Sequence, residues 1–258
     1  MNVKLQRDGF TLIELLVVVG ILGILASLLT TAIISAKTRA SNIQCTANLK
    51  QLGVSLNRFV QDNACYPLNS NPDPTNVPDH GNIWHRSLFP EQVQVEVEYS
   101  RGRGVFQCPA APTPTIFPKN LGFASFGYNS RGLTGNTNEQ PLGIGGDKLV
   151  PGDWRTKSPT HESEVANPST LIAIGDGLVG WNGVIRDGVL ALERRADAIE
   201  YFGSTKRAQK RHRGKANIVF CDGHVEGVPL TTLFTDTSDA ALSMWNKDGL
   251  PHRERLTP

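Results

Sequence analysis

Residues 15–34 are twenty consecutive positions without a charge. At about 1.5 Å of rise per residue, a helix of that length crosses the hydrocarbon core of a bilayer. One acid, Glu14, sits at the start of this apolar run, directly after the short stretch Asp8-Gly9-Phe10-Thr11-Leu12-Ile13. Beyond the run the pattern changes. Ile43, Ala47, Leu49, Leu52, Leu56, Phe59 and Val60 recur mostly three or four positions apart, while Asn42, Gln44, Asn48, Lys50, Gln51, Asn57 and Arg58 take other faces. That is the stripe of an amphipathic helix. No proline occurs before Pro67, so the pattern predicts one helix from about residue 11 to 62. Its first half suits apolar surroundings, and its second half suits packing under a globular head.

Downstream the signals are shorter. Residues 66–82 are rich in Pro, Asn and Asp and predict a loop. A short helix over 81–89 would carry Trp84 and Leu88, and Val93, Val95 and Val97 alternate with polar residues as in a strand. Residues 110–160 are dominated by Gly, Pro, Asn and Thr and receive no assignment. Residues 170–175 read as a buried strand ending at Asp176-Gly177. Val184-Ile185 and residues 189–192 are expected to pair across Arg186-Asp187-Gly188. Residues 216–221 form the next strand, with Ile218 and Phe220 on one face. Asp222-Gly223 then suits a two-residue type I′ turn, and residues 224–228 return as its partner. A last helix is expected over 236–245, capped by Thr237 or Ser238 with Gly249 beyond its end, before a polar, frayed tail over 252–258. The expected class is α+β: a long N-terminal helix on a small antiparallel sheet with long irregular loops.

Composition narrows the functional classes. The chain has 258 residues, 19% of them charged, with a net charge of +2, so neither global disorder nor a whole-chain nucleic-acid field is indicated. Its 25 glycines and 16 prolines favour a loop-rich, strand-containing head over a helical bundle. The cysteines are Cys45, Cys65, Cys108 and Cys221. None forms a C-x-x-C pair, so a zinc or thioredoxin-type site is not expected. If the head faces an oxidising compartment, three fully paired connectivities are open.

Glu14 carries the first functional argument. A carboxylate at the edge of a membrane-length apolar run costs several kcal/mol unless something pairs with it. An ordinary secretory signal has a shorter core with a small-residue cleavage site after it, and neither feature is present. A plain anchor explains the length but leaves Glu14 without a task. Phe10-Thr-Leu-Ile-Glu14-Leu-Leu-Val-Val, preceded by Gly9, resembles the type III signal of type IV pilins and of type II secretion pseudopilins. The resemblance implies cleavage by a prepilin peptidase between Gly9 and Phe10, N-methylation of Phe10, and a role for Glu14 in assembly. The freed amine on Phe10 would stand four residues from Glu14. The carboxylate could neutralise that amine or a neighbouring subunit's, which offsets burial and favours side-by-side helix packing. Charge alone leaves orientation ambiguous, with Lys4 and Arg7 before the span and Lys37 and Arg39 after it. The resemblance places the leader in the cytoplasm and the head in the periplasm.

A second signature lies near the C-terminus. Nine residues separate His212 from Asp222-Gly223, which resembles the H-x(9)-D-G pattern of a large bacterial group of prepilin-like proteins. Residues 45–53, Tyr66-Pro67, Phe106-Gln-Cys108-Pro109 and Tyr128-Asn129 resemble other motifs of that group. Asp176, His212, Asp222 and His224 supply ligand types for a metal, and mixed His and Asp donors fit a transition metal better than calcium. The plain expectation is no metal and no cofactor, with Asp222 making the turn and His212 bonding a strand end. The basic run at Lys206, Arg207, Lys210, Arg211, His212, Arg213 and Lys215 is expected to be a solvated loop rather than a nucleic-acid surface.

No G-x-S-x-G, H-E-x-x-H or Walker-type loop occurs. Gly143-Ile-Gly145-Gly146 lacks the flanking strand and helix of a dinucleotide site, and His80, His85 and His161 are expected as scattered loop residues. The sequence is therefore expected to encode no enzyme. The expected organisation is a leader over 1–9, a transmembrane and stalk helix over 10–62, and a pilin-like head over 63–258 with its hairpin at 212–228. The expected product is a single-pass bacterial inner-membrane subunit of a pilus-like or pseudopilus filament. Its partners would be the prepilin peptidase, other pilin-like subunits and inner-membrane lipid. The contrasting expectation is an anchored periplasmic binding or hydrolytic domain that forms no filament.

Overall fold

The structure is a computed structural model and describes residues 11–69, 84–89, 104–111, 125–133, 140–146, 158–176, 180–181, 184–185 and 211–256. The chain divides into two compact units, Met1–Ala40 and Ser41–Pro258. Helix α1, Leu12–Asn63, begins in the first and ends in the second. It is unbroken for 52 residues, as the absence of proline allows. In the first unit its large apolar side chains are exposed from Leu12 through Ile34. That stretch is long and apolar enough to cross a membrane.

The second unit is built around a four-stranded antiparallel sheet. Its strands are β1 (Phe126–Tyr128), β2 (Ile172–Asp176), β5 (Lys215–Phe220) and β6 (Val225–Pro229), in that spatial order, while β3 (Gly180–Trp181) and β4 (Val184–Ile185) form a separate pair. Short helices α2 (Trp84–Leu88), α3 (Leu230–Phe234) and α4 (Asp239–Ser243) complete the described elements together with 3₁₀ turns. On one side of the sheet, Cys45, Leu49, Leu52, Leu56 and Val60 of α1 pack with Trp84, Phe106, Tyr128, Ile174 and Val219. On the other, Ile172, Ala216, Ile218 and Phe220 meet Leu230, Leu233, Phe234, Leu242 and Trp245. Alternate residues of β5 thus enter two separate cores. That is why residues 216–221 read as a nearly continuous apolar run rather than an alternating one.

The expected α+β architecture stands, with several differences. The β5–β6 connection is a three-residue loop, not a two-residue type I′ turn. Phe220 and His224 face each other, Gly223 donates to Phe220 O at 2.8 Å, and only Gly223 of the loop has a positive φ, at 87°. A type I turn followed by a left-handed glycine is the standard three-residue solution. Cys221 is drawn inward, donating from its backbone to Leu171 O at 2.9 Å, and this sets the loop length. Val184 and Ile185 pair with Trp181 and Gly180; their expected partners at 189–192 lie outside the described residues, as do Val93, Val95 and Val97. The last helix is shorter than expected, but Ser238 is its cap and accepts from Ala241 N at 3.3 Å.

The tail is not frayed through residue 256. His252 lies 2.7 Å from Asp248 and 2.8 Å from Glu254, and Arg255 donates to Leu133 O at 3.0 Å. Helix α3 was not expected. It starts directly at the end of β6 with no side-chain cap, so no start signal marks it in the sequence. His85 is not a loop residue but a buried member of α2, edge-on to the rings of both Trp84 and Phe106.

Candidate functional site

Gly9 and Phe10 lie outside the described residues. Glu14 is the first of the expected site residues that the structure places, and it closes a capping box. Its carboxylate accepts from Thr11 N at 2.9 Å and Thr11 Oγ1 at 2.7 Å, while Glu14 N donates to Thr11 Oγ1 at 3.3 Å. Thr11-x-x-Glu14 is the sequence form of this device, so the cap is written in the chain itself. A negative group in the first turn also complements the helix dipole. Glu14 therefore holds the helix start while remaining exposed to outside partners. The hydroxyls of Ser27, Thr30, Thr31 and Thr38 each donate to a carbonyl three or four residues earlier, at 2.7–2.9 Å. Satisfied in this way, polar side chains are tolerated on a helix in apolar surroundings.

The signature residues divide between two places. Asp222, Gly223 and His224 form the exposed hairpin tip, where Asp222 Oδ1 lies 2.6 Å from His224 Nδ1 and accepts from His224 N at 3.1 Å. This tip presses on α1: Asn57 Nδ2 donates to Asp222 O at 2.9 Å, and a Cβ on Gly53 would come within 3.0 Å of Gly223 O. His212 is elsewhere. It stands before β5 with φ 48°, followed by Arg213 at 59° and Gly214 at 81°. Three successive left-handed residues, two of them not glycine, are costly. The turn sends the His212 ring inward, where its side chain is only 3% exposed.

There His212 meets Asp176 at the end of β2, with Nε2 3.3 Å from Oδ2. It also meets Cys108, with Nε2 3.1 Å from Sγ. Cys45 of α1 completes the group, with Sγ 3.7 Å from Asp176 Oδ1. Asn217 supports it from β5: its backbone N donates to Asp176 Oδ2 at 2.8 Å, and its Nδ2 donates to Cys45 Sγ at 3.3 Å and to Asn42 Oδ1 at 3.1 Å. Burial opposes a charge on His212, but the bonds to Asp176 and Cys108 outweigh it and lift the group to about 9. The Cys45 thiol is pushed far up by its hydrogen bond with Cys108, then by burial and the Asp176 charge. Of the four ligand-type residues expected from sequence, Asp176 and His212 are thus brought together, and Asp222 and His224 form their own pair at the hairpin tip. Cys45 and Cys108 were not expected in such a group, because neither belongs to a C-x-x-C pair. The signal that could have found them is weaker: both lie inside the motif stretches 45–53 and 106–109.

Comparison with known proteins bears on the first of these regions. The family described as "Prokaryotic N-terminal methylation motif" matches residues 5–30. The chain carries a prepilin-type N-terminal segment. The chain is similar to "Type II secretion system core protein G" of Pseudomonas aeruginosa, 40% identical over 62 residues, or 24% of this chain and 44% of that protein. The proteins of the same name from Vibrio cholerae and Dickeya chrysanthemi are 33% identical over 89 residues and 32% over 90. Each of these two matches covers 30% of this chain, and they cover 61% and 59% of the respective relatives. The similarity therefore spans roughly half of each relative's length and less than a third of this chain. No solved structure matches it.

Proposed function

We propose that this chain is a structural subunit of a type II secretion pseudopilus or a related type IV pilus-like filament. In this reading a prepilin peptidase cuts it after Gly9, its new N-terminus at Phe10 is methylated, and its helix assembles with those of other pilin-like subunits. The head would lie in the periplasm and the unassembled subunit in the inner membrane. The observation that carries the reading is the helix itself. A membrane-length apolar stretch, unburied by its own chain, bears the methylation motif and is continuous with the helix on which the head's core is built. Apolar surface on that scale is stable only against lipid or against other helices. Glu14 fits both states. Within the subunit it caps α1 through Thr11, and its exposed carboxylate remains available to an amine at the end of a neighbouring mature chain.

N-terminal sequencing with mass measurement of the protein from its native cells tests this. The expected mature chain begins with a methylated Phe10, and Gly9→Val leaves it uncut. Glu14→Val is expected to be cut but to drop out of sheared filaments. A chain beginning at Met1 and found solely as a membrane monomer would overturn the reading in favour of an anchored, non-filamentous domain.

A further inference from the structure

We propose that Cys45, Cys108, Asp176 and His212 form a closed four-ligand site for one divalent metal ion of zinc's type, which ties the α1 stalk to the head. Their four candidate ligand atoms all lie within 4.8 Å of one another. Bonds of about 2.0–2.3 Å from zinc to oxygen, nitrogen and sulfur in a tetrahedron place the donors about 3.3–3.8 Å apart. The observed separations are 3.1 Å for Cys108 to His212, 3.3 Å for His212 to Asp176 and 3.7 Å for Cys45 to Asp176. These three separations, taken to one or the other Asp176 oxygen, are close to those of a coordination shell, and all four donors lie within 4.8 Å of one another.

The donor chemistry selects the ion. Two sulfurs, an imidazole and one carboxylate suit a borderline-soft transition metal, whereas calcium and magnesium require more oxygen donors. Four protein ligands in a buried position describe a structural site rather than a catalytic one, which would keep a position open. As the ion enters, the two thiols and the His212 imidazolium release their protons to solvent. The site is left with two thiolates, one carboxylate, a neutral ring and a net charge of −1. Asn217 is placed for that charge: its N–H groups already point at Asp176 Oδ2 and Cys45 Sγ, the supporting hydrogen bonds that metal ligands normally receive.

Two further observations point the same way. The ligands come from four separate segments: α1, the chain just past the 3₁₀ turn at Gly104–Phe106, the end of β2, and the turn before β5. One ion would therefore cross-link parts of the chain separated by long loops, where loop-closure entropy makes a link most effective. The left-handed backbone at His212 and Arg213 is also the kind of local strain that a bound ion compensates.

The test uses the full-length chain, purified under reducing conditions in detergent without chelator. Elemental analysis and native mass spectrometry should find about one zinc-type ion per chain, as a structural site requires. Stripping it should lower the thermal unfolding midpoint, and adding it back should restore that midpoint. Cobalt(II) added to the stripped protein should give thiolate-to-cobalt absorption and the visible bands of a tetrahedral ion. Cys108→Ser and Cys45→Ser should lose that absorption, while Cys65→Ser, Cys221→Ser and His224→Gln should retain it. Should the first two variants fail to fold, the native mass and cobalt spectrum of the unmodified chain still decide. The proposal is overturned if no ion is bound and cobalt gives no thiolate band. That outcome covers both a Cys45–Cys108 disulfide and a cluster that remains a plain His212–Asp176 ion pair beside two thiols.

Discussion

Gly223→Ala should destabilise the head through a contact with α1, far away in sequence. Gly223 has φ 87°, and an L-residue in the left-handed region costs about 1–2 kcal/mol. A Cβ there would also collide with Asn57 Nδ2, so the Asn57 amide must swing away. That breaks its 2.9 Å bond to Asp222 O, and the loss of such a bond adds about 0.5–1.5 kcal/mol. The sum is about 1.5–3.5 kcal/mol, large against a typical total stability of about 5–15 kcal/mol. The assay is denaturant unfolding of the full chain in detergent micelles, followed by tryptophan fluorescence through the buried Trp84 and Trp245. The cycle with Asn57→Ala isolates the mechanism. In that background the crowded amide is gone, so Gly223→Ala should cost only the backbone part, about 1–2 kcal/mol. A cost below about 0.5 kcal/mol, the range of ordinary surface changes, would refute the reasoning. So would an equal cost in both backgrounds, because the hairpin tip would then not be held against α1 as described.

Asn129→Ala is expected to be more damaging than any substitution at the exposed Arg253–Asp239 pair. The fully buried Asn129 side chain donates to Ile172 O at 2.8 Å and Trp245 O at 3.0 Å and accepts from Gly132 N at 3.0 Å. Removing it strands three buried backbone groups, at about 1–3 kcal/mol each before relaxation, so the variant should be recovered largely unfolded by circular dichroism. Arg253→Ala, which breaks a 2.7 Å bridge whose side chains are 56% and 69% exposed, should change the unfolding midpoint little. The pH dependence should carry a mark of His85. Burial, and then the charge of Arg86, holds it down to about 3, so the unfolded chain takes up a proton near pH 6.5 that the folded chain refuses. Stability therefore falls as pH drops below 6.5. From this group alone the loss is about 2 kcal/mol by pH 5. His85→Phe, measured beside the parent at about pH 8 and about pH 5, should be less acid-sensitive by that amount, and parallel stability curves would contradict it.

Much of this protein was legible from one dimension because its decisive features are local. Residues 15–34 form a helix suited to apolar surroundings irrespective of the head, since length and the absence of charge suffice. The cap at Thr11-x-x-Glu14 is likewise written in four consecutive residues. The stripe from Ile43 to Val60 and the absence of proline fix a continuous helix, because periodicity and backbone hydrogen bonding both act within a few residues. The strands at 172–176 and 215–220 were visible for a similar reason: both are short apolar runs bounded by turn residues. Other features depended on distant partners. The hairpin loop has three residues rather than two because Cys221 is claimed by Leu171. Helix α3 forms because Leu230, Leu233 and Phe234 complete a core with Trp245. The approach of Cys45, Cys108, Asp176 and His212 could not be read from spacing, since four ligands on four segments leave no short motif. Local periodicity determined the anchor and the helix, because they need no distant neighbour; tertiary packing alone decided which side chains meet, because contact depends on how segments close on one another rather than on their order.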